Sequence, residues 1–338
     1  MKAESAGIAA IAGFLPSERL TNEDLVREFG TWTPEKIFHK TGISERRIAV
    51  KELVSDLAVG AAEALFAAGK VRREDVDMLI LCTETPDYLL PSTACIVHDR
   101  LGLAKNCGAF DYNLGCSGFV YGLALAKSMV FSGLAGNVLL ITADVITRFV
   151  NRYDKSTRTI FGDAAAAALV TGSPGCGSIG EFVIGTDGSG ASNLIIPAGG
   201  MAMPRSGETA MEKRNRFGNA RSKNDLYMNG PEIMQFALRE VPPAIETVLD
   251  KNGLAMDDID LVVFHQASKL MLEHLGERIG IPESKLYINI EKLGNTVSST
   301  IPLALEQAEK EKRLEKGDKV LIAGFGVGYS WGTTVLEW

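Results

Sequence analysis

Residues 61–82 read AAEALFAAGKVRREDVDMLILC, and residues 244–265 read AIETVLDKNGLAMDDIDLVVFH. A shift of 183 positions lays the second on the first without a gap. Each opens as an amphipathic helix, passes through an acidic turn and closes on Asp plus a run of aliphatic and β-branched residues. Such a run is the pattern of a strand buried on both faces. Glu63 falls on Glu246, Asp75 on Asp258, Asp77 on Asp260 and Cys82 on His265. Generic strand–helix units resemble one another, so the equivalence must extend further to argue duplication. It does: Leu114-Gly115-Cys116 corresponds to Leu293-Gly294-Asn295. Each tripeptide precedes a helical segment (117–132 and 296–312), and each helix leads to another buried strand, VLLIT at 138–142 and VLIAG at 320–324. The chain therefore reads as α/β, with two similar halves, about 1–172 and 173–338, each a βα layer around its own sheet. The stretch from about 198 to 226, rich in Gly, Pro, Ser, Asn, Arg and Lys, breaks the pattern and reads as an exposed insertion, a mobile lid or flap.

Composition narrows the function. At 338 residues and 46% hydrophobic, the chain can bury a large core. Thirty-five glycines with only 7% aromatics favour α/β over a β-sandwich. A net charge of −7 argues against nucleic acid as the main partner. No apolar run has the length of a membrane span, and the N-terminus lacks the pattern of a secretory signal. Five dispersed cysteines without a CxxC pair point to neither a disulfide framework nor structural zinc, and suggest a reducing cytoplasm.

Three residues could carry chemistry. Cys116 lies in FDYNLGCSGFVYGLALAKSMV, where a strand turns through Leu-Gly into a helix of small residues. A thiol at a helix N-terminus faces unpaired N–H groups and the positive end of the dipole, so its pKa is expected to fall. The other four cysteines read as buried structural thiols. His265 ends the buried strand IDLVVF, and active sites of parallel α/β proteins gather at such ends. A satisfied core histidine is the plainer explanation of His265, as a helix cap is of Asn295. Asn295, however, occupies the junction equivalent to that of Cys116. Packing about a pseudo-two-fold would bring thiol, imidazole and carboxamide to one cavity. His39, His98 and His274 read as surface or packing residues. The Gly-rich GFGVGYSWG at 324–332 opens no helix and is not a dinucleotide loop; between two strands it can offer N–H groups to an oxyanion.

With these residues placed, the chain resembles the β-ketoacyl-acyl-carrier-protein synthase III family of the thiolase superfamily. The segments that carry the resemblance are KTGISERRIA (40–49), LLPSTAC (89–95), the Cys116 motif, IFGDAAAAALV (160–170), HQA (265–267), LGNTVSSTIPLAL (293–305) and GFGVGYSWG. The resemblance implies a thiolase fold, two duplicated halves in α-β-α-β-α layers. It implies a decarboxylative condensation in which Cys116 takes an acyl group from acyl-CoA and a malonyl thioester extends it. His265 and Asn295 would hold the thioester enolate, and the backbone N–H groups of Cys116 and Val327 the oxyanion. No metal or organic cofactor is called for. Leu90, Phe161 and Met228 match positions lining the acyl pocket, Leu90 by reaching across a homodimer interface. Acyl carrier protein and acyl-CoA are the implied partners. At the family's CoA-binding positions, where a Trp and an Arg are common, this chain has Lys36 and Lys40, with Trp32 four residues earlier. Ser268, which opens the helix after His265, is an implied CoA or carrier-protein contact; on that helix Leu270 and Glu277 replace basic residues and Arg278 keeps its charge. Arg214 and Arg216, in the insertion, are the alternative contacts for an acidic carrier. An acyltransferase acting on oxygen or nitrogen and a catalytically idle binding subunit of the same fold are the competing readings.

Overall fold

The computed structural model describes residues 5–338; the first four residues of the N-terminal half lie outside the described residues. Two sheets run through it. The first holds β1 (Gly7–Phe14), β2 (Met78–Cys82), β3 (Gly108–Tyr112), β4 (Asn137–Asp144) and β5 (Ala164–Thr171), in the order β1-β5-β4-β2-β3. The second holds β6 (Ser178–Thr186), β7 (Leu261–Phe264), β8 (Lys319–Gly326) and β9 (Ser330–Glu337), in the order β6-β9-β8-β7. Their pairings match one for one. β2 and β4 are parallel, as are β7 and β8; β5 is antiparallel to β4 as β9 is to β8; β1 is antiparallel to β5 as β6 is to β9. The counterpart of β3 has dwindled to a single parallel bridge between Val262 and Leu286. The repeated aspartates do the same work in both halves. Asp77 accepts from the N–H of Asn137 at 2.9 Å, and Asp260 from that of Lys319 at 2.8 Å, each tying one parallel strand to the start of its neighbour.

Five layers follow from the alternation of side chains along the strands. Leu79 and Leu81 face outward to the helices α2 (Val54–Ala67) and α3 (Thr93–Arg100). Ile80, Val138 and Leu140 face inward, where α4 (Gly118–Ser132) and α7 (Thr300–Lys310) lie between the sheets. From the other side, Leu261, Val263, Val320 and Ile322 close this central core. Val262, Phe264 and Leu321 turn outward to α5 (Gly230–Lys251) and α6 (Lys269–Ile279). The order is thus α-β-α-β-α, as expected.

Three of the four sheet rims are irregular or covered. β1 loses register between Ile8 and Ala10, and β6 loses it against β9 between Thr334 and Leu336. The rim of β7 carries the Leu286 bridge. β3 pairs with β2 in unbroken register from Gly108 to Tyr112, and among the described residues no strand lies on its far side.

The segment 198–226 is tied to the body at several points. Arg221 bonds the fully buried Asp154, the N–H of Ala220 donates to the carbonyl of Tyr153, and that of Leu226 to the carbonyl of Phe149. Lys213–Arg214 and Ala220–Arg221 form a two-stranded hairpin, with Arg214 over Tyr153 and Arg216 over Phe217.

Candidate active site

The two helices of the central layer begin near one point, and their junctions define the site. Cys116 sits between β3 and α4, in a turn closed by Gly118 N–H donating to the carbonyl of Gly115 at 2.8 Å. The hydroxyls of Ser117 and Ser330 are 2.7 Å apart and fasten the junction to β9. Val327, in the turn between β8 and β9, borders the same cavity as Cys116. Gly326 is pressed so close that a Cβ there would lie 2.7 Å from the Cys116 sulfur.

His265 follows β7 and continues its parallel pairing, its N–H donating to the carbonyl of Ala323 at 2.8 Å. Asn295 is held by its own backbone: its N–H donates to Ile160, and its carbonyl accepts from Gly162 at 3.0 Å. Its side-chain oxygen accepts from the N–H of Val297 at 2.9 Å. That bond leaves the amide NH2 group turned toward His265, where Nδ2 lies 3.4 Å from Nε2. The other ring nitrogen, Nδ1, is 2.7 Å from the hydroxyl of Thr300, which is 3.2 Å from the carbonyl of Val297. A carbonyl can only accept, so the hydroxyl donates to Val297 and accepts from Nδ1–H, leaving a lone pair on Nε2 toward the cavity. Burial lowers the His265 pKa to about 3, so the ring is neutral across physiological pH.

Cys116 opens on two cavities. The first, of about 220 Å³, is also lined by His265, Asn295, Ser268, Phe161 and Met228. The second, of about 130 Å³, is bounded by Glu84, Asn113, Ile146, Phe161 and Val327. Leu90 borders neither: it is 83% exposed beside Leu89, at 86%. Lys36 and Lys40, on α1 (Pro34–Thr41), stand with Lys155 around the ring of Trp32, their ammonium groups 5.2, 5.9 and 5.9 Å from its centre. Along the exposed side of α6 runs a broad groove bearing five glutamates, Glu273, Glu277, Glu283, Glu291 and Glu311, against Lys269 and Arg313.

Two sequence expectations need correction. The Cys116 thiol is not acidified: burial first, then the charge of Glu84, push its pKa up, and the Val327 N–H only partly opposes them. Desolvation penalises the thiolate more than one helix start relieves it. Of the other cysteines, Cys82 and Cys107 are buried, but Cys95 is exposed and Cys176 partly so; all five are free thiols. Sequence reasoning also missed Thr300 and Glu84. Thr300 stands in the same SSTIP helix start as Asn295, five residues on. Glu84 lies two residues beyond β2, at the strand end that the internal repeat equates with that of His265. An acidic residue at such an end is the signal that could have found it.

Comparison with known proteins gives matches over the full length. The family model described as 3-oxoacyl-[acyl-carrier-protein (ACP)] synthase III matches residues 110–188, and the one for its C-terminal region matches residues 249–338. The β-ketoacyl-[acyl-carrier-protein] synthase III of Caldanaerobacter subterraneus is 40% identical over 99% of this chain and 98% of its own. That of Clostridioides difficile is 39% identical over 98% of each. A 3-oxoacyl-(acyl-carrier-protein) synthase III of known crystal structure superposes with a TM-score of 0.97 at 48% identity, covering 99% of this chain and 100% of that one.

Proposed function

The chain belongs to the 3-oxoacyl-[acyl-carrier-protein] synthase III family of thiolase-fold acyltransferases, and from that premise we propose that it joins an acyl-CoA primer to a malonyl thioester with loss of CO₂. The observation that carries this reading is the first cavity, where thiol, imidazole and carboxamide face one another. Cys116 attacks the primer thioester and becomes S-acylated as CoA leaves. Backbone N–H groups of Cys116 and Val327 hold the tetrahedral oxyanion. A malonyl thioester then enters with its carbonyl between Asn295 Nδ2 and His265 Nε2. For His265 to donate, the proton must sit on Nε2, and Thr300 permits this by turning its hydroxyl from Val297 to Nδ1. The two donors stabilise the enolate left by CO₂, which attacks the acyl carbon on Cys116 and releases a β-ketoacyl thioester. The thioester carbonyl is the electron sink, so the reading calls for no metal or organic cofactor.

We assign Phe161 and Met228 to the acyl pocket, and Leu90 to the pocket of a partner copy in a homodimer. The exposure of Leu89 and Leu90 and the open rim of β3 support that pairing. Lys36 and Lys40, clustered on Trp32, are assigned to the CoA phosphates, and Ser268, which lines the first cavity, to contact with the incoming CoA or carrier arm. The malonyl group arrives on acyl carrier protein. The acidic groove along α6 disfavours docking there, whereas Arg214 and Arg216 offer exposed charge. The repeated sheets support halves at 1–172 and 173–338, with the insertion at 198–226. Five free thiols fit a cytoplasmic setting. Among the described residues no helix is long and apolar enough to cross a membrane.

The test is intact-protein mass spectrometry after exposure to a panel of acyl-CoAs, with CO₂ release from malonyl-CoA and malonyl-carrier protein followed in parallel. An acyl adduct on Cys116 and CO₂ release are expected. An adduct without CO₂ release favours plain acyl transfer, and neither adduct nor CO₂ an idle subunit.

A further inference from the structure

We propose that Glu84 is a second acid–base group of the site, exchanging a proton with the Cys116 sulfur from the cavity that His265 does not line; the proposal rests on the condensing reading above. Glu84 follows the end of β2, and its N–H donates to the carboxylate of Asp144 at 2.9 Å. Its own carboxyl points elsewhere. Cys116 and Glu84 line the same cavity of about 130 Å³. At Gly115, the residue before the thiol, a Cβ would lie 2.5 Å from Glu84 Oε2 and 2.8 Å from Val327 Cγ1. The carboxyl thus occupies the space that Gly115 leaves, beside the Val327 side chain. Among charged groups, Glu84 acts most strongly on the thiol. No hydrogen-bond partner for the Glu84 carboxyl is found among the described residues. Glu84 is half-buried, so its carboxyl is open to the cavity that it shares with the thiol rather than held by a protein partner.

The titratable groups facing it are Asp144 from β4, Cys116 from the junction and Cys82 at the end of β2. Asp144 accepts from Glu84 N–H and from both the N–H and the hydroxyl of Ser298; these bonds oppose the burial that raises its pKa, so of the two carboxyls it is the one that ionises first. Burial, then that charge, hold the Glu84 carboxyl well above the ordinary carboxylate range. His265, a neutral ring with a strongly depressed pKa, is by comparison a poor base for a thiol whose own pKa is raised.

In acylation, the Cys116 S–H proton passes to the Glu84 carboxylate as the new S–C bond forms. The tetrahedral adduct then collapses, the C–S bond to CoA breaks, and water at the cavity mouth protonates the CoA thiolate. In condensation, the enolate forms a C–C bond to the acyl carbon, the bond to Cys116 breaks, and the departing thiolate takes the proton back from Glu84. Decarboxylation needs no base, so Glu84 serves only the sulfur steps.

Glu84→Gln and Glu84→Asp test this. Loading of Cys116 by acetyl-, butyryl- and octanoyl-CoA is timed by quenched mass spectrometry from pH 6 to 10, and CO₂ release from malonyl-CoA is measured on the same proteins. The wild type should load faster as pH rises above the ordinary carboxylate range. Glu84→Gln should load about 10²- to 10⁴-fold more slowly, without that rise, and its loss in loading should far exceed its loss in CO₂ release from malonyl-CoA supplied without a primer. Glu84→Asp should recover the rising limb. Wild-type loading by Glu84→Gln, CO₂ release falling in step with loading, or a Glu84→Asp profile as flat as that of Glu84→Gln each overturns the assignment. A wild type that neither loads nor releases CO₂ overturns the condensing reading instead.

Discussion

Thr300 offers the sharpest test of how His265 works. Its hydroxyl lies 2.7 Å from Nδ1 and 3.2 Å from the carbonyl of Val297, and it is buried. Thr300→Val keeps the shape and removes the hydroxyl, leaving the buried Nδ1 without a partner. An unpaired buried polar group costs about 1–3 kcal/mol. If His265 must change its tautomer to donate to the enolate, most of this cost appears in the decarboxylation barrier, slowing CO₂ release by about 5- to 150-fold. Thr300→Ser should restore most of the rate. The assay is CO₂ release from a malonyl thioester, with acyl loading of Cys116 as the internal control, because loading does not use the enolate clamp. Wild-type CO₂ release by Thr300→Val would refute the reasoning. So would a parallel loss of loading, or a Thr300→Ser protein as slow as Thr300→Val.

Gly326→Ala places a methyl group 2.7 Å from the Cys116 sulfur, an overpacking worth about 1–3 kcal/mol, so acyl loading and iodoacetamide labelling should both slow by about 5- to 150-fold. His265 contributes to stability at neutral pH because its folded pKa, about 3, lies below its unfolded value of about 6.5. That contribution is present above pH 6.5 and is lost as pH falls toward 3. In denaturant titrations His265→Gln should therefore lose less stability than the wild type across this window; equal acid slopes would contradict the depressed pKa. Reversing charge at Arg214 and Arg216 should weaken binding of acyl carrier protein and flatten its salt dependence; an unchanged titration would move docking elsewhere.

Features set by local pattern were readable without coordinates. MLILC and LVVF announce themselves as strands because both faces are apolar, and Asp77 and Asp260 recur because each fastens a strand pair. The helix starts after Cys116 and Asn295 follow from Gly-then-small-residue sequences. What escaped depends on three-dimensional neighbours. The direction of the thiol pKa is decided by burial and by Glu84, 32 residues earlier in the chain. The tautomer of His265 is decided by Thr300, 35 residues later. Lys155 joins Trp32 only because its short helix folds back on the N-terminal segment. The insertion has the composition of a loose loop, yet it is fastened by the pairing of Arg221 with a fully buried aspartate, which no local pattern reveals.

The unequal rims of the two sheets bear on how large an assembly this chain can build. A strand edge that joins a copy of itself about a two-fold axis is used up in the joining. Continued growth would need a second straight edge. β1 and β6 are interrupted, and the rim of β7 is occupied at Leu286. The lack of a fifth strand in the second sheet therefore does more than make the two sheets unequal. Two such edges on one molecule would let copies string into ribbons; with one, the pairing proposed for this edge would stop at two.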